Sequence, residues 1–208
     1  MNINTRALSV LATCTLSLNV AACAGGTGDT GATDEALADV AEPITEAVCP
    51  SNVPAAIVPP AGQTLKLSLT GLGVQIYMCT AKGETFSWTP VGPQANLLDD
   101  DGKLVGTHFI GPTWQGNDGS SVVGQKTAGV SVDPSAVPWL LLTAVSHASE
   151  PGRFSDVTFI QRLSTVGGNA PSDGCDAAHI ATLAQVPYTA QYAFYKAKAH
   201  GNVKVCGG

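Results

Sequence analysis

The 208-residue sequence has few charged side chains and few basic ones. Charged residues make up 12% of the chain, against roughly 25% in an average soluble domain. Only 10 are Lys or Arg, beside 16 Asp or Glu, so the basic surface of a nucleic-acid-binding protein is missing. With 44% hydrophobic residues, the chain can still build one core. This composition excludes a nucleic-acid partner and a chain that is disordered throughout.

The sequence also lacks the short motifs that identify common enzyme classes. No Gly-x-Ser-x-Gly nucleophile turn occurs. The closest approach to the dinucleotide motif Gly-x-Gly-x-x-Gly begins at Gly71 and Gly73, but Ile76 stands in place of the third glycine. No Cys-x-x-Cys or Cys/His pair has the spacing of a zinc site. We therefore expect no cofactor.

Residues 1–22 have the pattern of a signal peptide. Arg6 precedes an apolar run over residues 7–18, and small residues follow. The run is shorter than the roughly 20 residues that span a bilayer. The stretch Val20-Ala21-Ala22-Cys23 resembles the lipobox of bacterial lipoproteins. That resemblance implies lipidation of Cys23 and a membrane as partner, with simple cleavage after Ala22 or Ala24 as the alternative.

Residues 23–48 predict a flexible acidic tether. They are rich in Gly, Ala and Thr and contain no Lys, Arg or aromatic residue, so they cannot bury a core. Most of the net charge of −6 comes from Asp and Glu in this segment. We expect one β-rich domain over residues 49–208, either anchored in the bacterial envelope or secreted.

Four cysteines remain in the expected domain: Cys49, Cys79, Cys175 and Cys206. An even number in an exported chain predicts two disulfides. Three pairings are possible. Because the termini of a domain are often close together, we favour Cys49–Cys206, which leaves Cys79–Cys175.

Short alternating segments predict an all-β fold. Residues 64–69 and 74–79 alternate apolar and polar side chains, with Gly71 and Gly73 as a turn between them. Pro90 should end a strand over residues 85–89. Further strand candidates are residues 104–110, 121–123, 129–132, 138–145, 155–163 and 188–196.

Turn and helix signals complete the predicted fold. Asp101-Gly102 and Asp118-Gly119 precede apolar segments and indicate hairpin turns. One helix is predicted over residues 172–183. The resulting expectation is an antiparallel β-sandwich or barrel of about ten short strands with at most one short helix.

Several motifs occur in an order that matches a known family. They are GVQIYMC (73–79), GPQANLLDDDG (92–102), VGTHFIGPTW (105–114), VPWLLLTAVSH (137–147), FSDVTFIQRLSTVGGNAP (154–171) and VPYTAQYAFY (186–195). Together they resemble the secreted family of bacteria and fungi known as domain of unknown function 3455. The resemblance implies a secreted, mostly β domain of unknown activity. Some fungal members carry a malate dehydrogenase label, which the missing dinucleotide motif contradicts here.

Four residues form the candidate site. His108, Trp114 and Asp118 lie near predicted strand ends and could line a pocket as base, aromatic platform and orienting acid. Burial of His108 and Trp114 in the core, with Asp118 in a turn, is the alternative. Arg162 lies in the middle of an apolar strand, where it could clamp a carboxylate or pair with Asp156.

Metal binding has less support from the sequence. His147 ends a predicted strand and could share a metal with His108, but no third ligand is evident. The sequence therefore predicts a binding or structural module of the cell envelope, for a small molecule, a glycan or a protein. The alternative is an extracellular, hydrolase-like enzyme that uses His108 and Asp118 beside Trp114.

Overall fold

The computed structural model describes residues 50–199, which form one antiparallel sheet closed into a barrel. Eight strands follow each other around the ring in chain order: β1 (Gln63–Lys82), β2 (Thr85–Leu98), β3 (Leu104–Phe109), β4 (Thr113–Gly116), β5 (Ser121–Val130), β6 (Trp139–His147), β7 (Val157–Gly167) and β8 (Leu183–Ala197). β1 pairs with β8 and closes the ring. The all-β prediction is confirmed, in its barrel form.

Within residues 50–199 the only helical element is a 3-10 turn, Ala55–Ile57. No helix in this range is long and apolar enough to cross a membrane. The predicted signal peptide, tether and Cys23 lie outside the described residues.

The strands are fewer and longer than the sequence predicts. β1 continues for 20 residues through Gly71 and Gly73, where a turn was expected. A Cβ on Gly71 would lie 2.5 Å from Cε2 of Tyr192, so this glycine makes room for a ring of β8 inside the barrel. β2 likewise continues past Pro90, at a point where its pairing with β1 shifts between Ile76 and Tyr77. Proline, which cannot donate to the ladder, is tolerated at such an irregularity.

The helix predicted over residues 172–183 is wrong. Residues 176–181 form turns and Leu183 already begins β8. The backbone N–H of Cys79 donates to the carbonyl of Thr182 at 3.0 Å, and the N–H of Ala181 donates to the carbonyl of Cys79 at 2.9 Å. Pairing with β1 therefore satisfies backbone groups that a helix would have used.

A disulfide between Cys79 and Cys175 holds the same loop against β1, with the two Cα atoms 5.3 Å apart. This half of the predicted pairing is confirmed. The bond indicates an oxidising, extracytoplasmic compartment. The other predicted pair, Cys49–Cys206, lies outside the described residues.

Both Asp-Gly turns are confirmed. Gly102 and Gly119 have φ values of 75° and 85°, a region that glycine enters at little cost. Asp99 supports the first turn by accepting the backbone N–H groups of Asp101 and Lys103. The acidic run at residues 99–101 is thus part of a hairpin.

Alternate side chains of each strand point into the barrel and form its main core. Large aromatic rings fill much of this interior, among them Trp114, Phe154, Tyr192 and Phe194. A second cluster lies on the outer face, where Ile57 packs with Leu163 and Tyr195. This arrangement fits an eight-stranded barrel, whose interior is just wide enough for side chains or one small ligand.

Candidate functional site

His108 and Trp114 stack on each other inside the barrel. They are paired residues of β3 and β4, and only 3% and 1% of their surfaces are exposed. The ring centroids are 4.3 Å apart and the planes differ by 9°. Tyr192 meets both rings edge-on, with centroids at 5.1 and 5.5 Å. The structure thus brings these two predicted site residues together in the core, which is the alternative that the sequence left open.

The buried imidazole of His108 is neutral at physiological pH. Burial lowers the pKa of His108 to about 3; a hydrogen bond to the Thr113 carbonyl opposes this effect, and the charge of Arg162 adds to it. Nδ1 lies 2.8 Å from that carbonyl oxygen. A carbonyl can only accept, so the neutral ring carries its proton on Nδ1 and donates.

Arg162 also points into the barrel. On β7 it lies opposite Leu140 of β6 and Tyr192 of β8, both of which belong to the interior core. Its Nε and one terminal nitrogen donate to the carbonyl oxygen of Pro138 at 3.1 and 2.8 Å. The guanidinium is therefore positioned by backbone at the start of β6.

The acid expected to pair with Arg162 binds other residues. Asp156 forms an ion pair with Lys66 and lies 3.8 Å from Lys196. Within residues 50–199, no carboxylate lies within 4 Å of the Arg162 guanidinium. Arg162 is thus a partly buried cation with no acidic partner in this part of the chain.

Three tyrosines lie near enough to interact with the positive charge of Arg162: Tyr77, Tyr188 and Tyr192. The hydroxyls of Tyr188 and Tyr192 lie 3.2 Å apart, and the Tyr77 hydroxyl donates to the carbonyl of Gly168 at 2.6 Å. Burial raises the pKa of all three tyrosines, so they remain neutral. We call these residues, with Gln75 and His108, the Arg162 cluster; it carries one positive charge.

Two buried N–H groups next to these rings have no hydrogen-bond partner in the described structure. They are Nε2 of Gln75 and Nε1 of Trp114. Gln75 is 9% exposed and lies beside Tyr188: burial raises the pKa of Tyr188, and the Gln75 side chain opposes this effect. A buried donor without a partner costs free energy. Both groups are donors, so a bound acceptor would complete their hydrogen bonding.

Gln75 and the tyrosines of the cluster were not among the site residues predicted from the sequence. One signal was present: Tyr188, Ala190, Tyr192 and Phe194 alternate along β8 and all face inward. Without the register of the closed barrel, these inward tyrosines could not be told from ordinary core residues. The partner of each hydroxyl depends on strands that are distant in sequence.

Asp118 is separated from His108. It lies in the turn after β4, whereas Trp114, the partner of His108, lies near the beginning of that strand, toward the opposite end of the barrel. Its carboxylate accepts the backbone N–H and hydroxyl of Ser120 and the backbone N–H of Arg153, at 3.1, 2.7 and 2.9 Å. The structure therefore gives Asp118 a turn-forming role and brings it to none of the other candidates.

The hydrogen bonds to Asp118 favour its ionised form. Burial alone would raise the pKa of Asp118, but the Ser120 hydroxyl, two backbone N–H groups and the charge of Arg153 together lower it to about 2. Ser120 in turn accepts the N–H of Phe154, a fully buried residue of the barrel core. Asp118 and Ser120 thus hold the backbone of residues 153–154 against the turn that follows β4.

His147 does not approach His108. Pairing across the sheet runs from His108 through Trp114 and Val122 to His147, so two strands lie between the two histidines. Nε2 of His147 is 2.7 Å from the carbonyl oxygen of Val157. Among residues 50–199, no three His, Cys, Asp or Glu side chains are close enough to hold a metal ion. The two histidines do not form a shared metal site.

One family model matches most of the barrel. It is described as Protein of unknown function (DUF3455) and matches residues 60–196, about two thirds of the chain. The chain belongs to the DUF3455 family. The match contains every strand except the last residue of β8. No curated protein and no solved structure matches the chain.

The surface of this DUF3455 domain carries a separate groove of about 560 Å³. It crosses β1, β2 and β3 and is lined by Leu72, Gln94, Thr107 and Phe109 among others. It reaches His108, but Gln75, Arg162 and the three tyrosines are not part of its lining. Size alone favours this groove, whereas the unpaired charge and the partnerless donors favour the Arg162 cluster. The Arg162 cluster is the better candidate for a specific site, because such a site needs convergent polar groups.

Proposed function

We propose that this DUF3455 domain is an extracytoplasmic binding module that holds a small molecule at the Arg162 cluster. One observation carries the proposal: Arg162 lies inside the barrel with no acidic partner among residues 50–199. A partly buried charge without a counter-charge is costly. A fold that keeps such a charge gains most when a bound molecule completes its surroundings.

A small molecule fits this location better than a glycan chain or a protein. The cluster lies within the barrel, and Tyr188 and Tyr192 are only 2% and 1% exposed. A flat partner surface could not reach these side chains. Arg162 is only partly buried and donates to Pro138, so we expect a small molecule to approach it from that end of the barrel.

The test of binding is a screen of small polar molecules by thermal shift, with the full chain and its Arg162→Met variant. Lys103→Met is the matched control, because it removes one exposed positive charge from the hairpin after β2. We expect compounds that raise the Tm of the wild type and of Lys103→Met, but not of Arg162→Met. If no compound raises the wild-type Tm, or if Arg162→Met responds equally, the binding proposal fails.

We also propose that the domain is tethered to the bacterial envelope through a lipidated Cys23. Support comes from the lipobox-like Val20-Ala21-Ala22-Cys23, the acidic segment over residues 23–48 and the disulfide of the barrel. Several acyl chains on one residue give stable anchoring. In detergent-phase partitioning, wild type should enter the detergent phase and Cys23→Ser the aqueous phase. Both chains in the aqueous phase would contradict the anchor.

A hydrolase-like activity of His108 and Asp118 has no comparable support. General acid–base catalysis needs the two groups within hydrogen-bond reach of one reacting site. Here the imidazole is stacked in the core and the carboxylate is engaged by Ser120 and Arg153. We therefore do not propose a shared acid–base pair for these residues.

A further inference from the structure

The ligand class follows from which polar groups of the Arg162 cluster are unused. We infer that the bound molecule is an organic monocarboxylate whose carboxylate group contacts the Arg162 guanidinium. This inference rests on the proposed binding function and specifies its ligand. It depends on three properties of the cluster: the unpartnered donors, the single positive charge and the apolar neighbours.

The buried side-chain atoms without a partner beside the Arg162 cluster are donors. Arg162 has five N–H groups in a planar fork, of which two donate to Pro138. The amide nitrogen of Gln75 and the indole nitrogen of Trp114 have no partner. An ionised carboxylate is an acceptor without donors and offers about four lone-pair positions. It therefore supplies what the cluster lacks, and it matches the fork of an arginine.

The total charge favours a monoanion. Arg162 provides one positive charge, while burial and that charge keep His108 neutral, with a pKa of about 3. The tyrosines are neutral as well, because burial raises the pKa of each. A dianion such as sulfate would leave one negative charge uncompensated beside a partly buried site, which is costly. A carboxylate neutralises Arg162 one to one.

The neighbours of Arg162 favour an apolar body on the ligand. Arg162 lies between Leu140 and Tyr192 in the sheet register, and Tyr192 touches Trp114 edge-on. Rings and aliphatic side chains at this position give dispersion contacts to an apolar group but few further hydrogen bonds. We therefore choose benzoate as the probe and benzamide as its neutral match.

The test is isothermal titration calorimetry of the full chain with benzoate, benzamide and sulfate. We expect benzoate to bind about tenfold or more tightly than benzamide, since charge-assisted pairs are roughly twice as strong as neutral ones. Sulfate should bind more weakly than benzoate. Arg162→Met should abolish the preference for benzoate, and Lys103→Met should preserve it.

Two further variants test the carboxylate contact if Arg162→Met folds poorly. Arg162→Lys retains the charge but loses the planar fork, so benzoate should bind several-fold more weakly while still binding more tightly than benzamide. Gln75→Met removes one partnerless donor at nearly constant volume, and benzoate should again weaken several-fold. Near-ultraviolet circular dichroism checks that each variant retains its aromatic core.

The outcomes separate this inference from the binding function itself. If benzamide binds as tightly as benzoate, and both depend on Arg162, the barrel binds ligands but the carboxylate inference is wrong. Tighter binding of sulfate than of benzoate would also overturn it. If neither probe binds and the thermal-shift screen finds no Arg162-dependent compound, the proposed function fails as well.

Discussion

The imidazole of His108 lies 4.3 Å from the indole of Trp114, almost parallel to it, in the interior of the barrel. Tyr192 packs edge-on against both rings. Burial lowers the pKa of the same imidazole, and the positive charge of Arg162 lowers it further. Together these contacts place a titratable ring where its protonated form is strongly disfavoured.

The stability of the protein should therefore decrease as the pH falls below neutral. The pKa of His108 is lowered to about 3 in the folded state, against 6.5 for an ordinary histidine. Between these values the unfolded chain binds a proton that the folded chain does not, so acid favours unfolding. The expected contribution is at most about 1.4 kcal/mol per pH unit.

Urea unfolding between pH 7 and pH 4 measures this slope. His108→Phe keeps an aromatic ring against Trp114 and should flatten the pH dependence, whatever its absolute stability. His147→Gln is the control, because that residue binds the Val157 carbonyl away from the core stack, and it should retain the wild-type slope. Equal slopes for wild type and His108→Phe would contradict the buried neutral imidazole.

Asp118 should matter for stability more than its partial exposure suggests. Asp118→Ala removes the acceptor for Ser120 and for the backbone of Arg153, and should lower the free energy of unfolding by about 1–2 kcal/mol. Asp133 is a close match, since it also accepts the N–H and hydroxyl of a serine two residues later. It holds no distant loop in the described structure.

The comparison of Asp118→Ala with Asp133→Ala therefore isolates the link to Arg153. We expect the smaller loss of Tm for Asp133→Ala. The Asp118 contribution should be present at neutral pH and disappear as the pH falls through about 2, because the pKa of Asp118 is lowered from 3.8 in the folded state. Equal losses of Tm would show that the loop does not depend on Asp118.

The disulfide between Cys79 and Cys175 should contribute strongly to stability. It joins residues 96 positions apart, and loss of a native disulfide in a small secreted domain typically costs about 2–5 kcal/mol. The double variant Cys79→Ala and Cys175→Ala should show this loss in urea unfolding. A Cys79→Ala, Cys175→Ala chain as stable as the wild type would contradict the role of this cross-link.

Gly71 should be intolerant of even a methyl group. A Cβ there would lie 2.5 Å from the ring of Tyr192, so the ring must shift within a packed core. We expect Gly71→Ala to lower the free energy of unfolding by about 1–3 kcal/mol. It should also weaken benzoate binding, because Tyr192 contacts Arg162. Unchanged stability and affinity would show that this part of the interior is loosely packed.

Local patterns in the sequence predicted much of the fold. Alternation predicted the β class, and the Asp-Gly pairs predicted turns at Gly102 and Gly119 because these require positive φ. Gly71 was misread as a turn, since its role depends on Tyr192, which is 121 residues away. A glycine that ends a strand and one that admits a ring are alike in sequence.

The candidate site could be predicted only in part. The structure brings His108 and Trp114 together because they lie on neighbouring strands of a short hairpin, and it buries both in the core. Asp118 was grouped with them by closeness in sequence, but the strand carries it toward the opposite end. Tyr192 was missed as a neighbour of Arg162, because strand register between β7 and β8 is a property of the closed ring.

The most direct test of the Arg162 site is an NMR titration of the ¹⁵N-labelled full chain with benzoate. The chain has three tryptophans, and the indole N–H signals of two of them, Trp114 and Trp88, report on different parts of the structure. The indole N–H of Trp114 is buried without a partner next to Tyr192, whereas that of Trp88 donates to the Asp173 carbonyl at 2.8 Å. We predict that the signals of the Arg162 side chain and the Trp114 indole shift and saturate together, while the Trp88 indole remains unchanged. A shift at Trp88 alone, or no shift at Arg162 at any benzoate concentration, would contradict a ligand site inside the barrel.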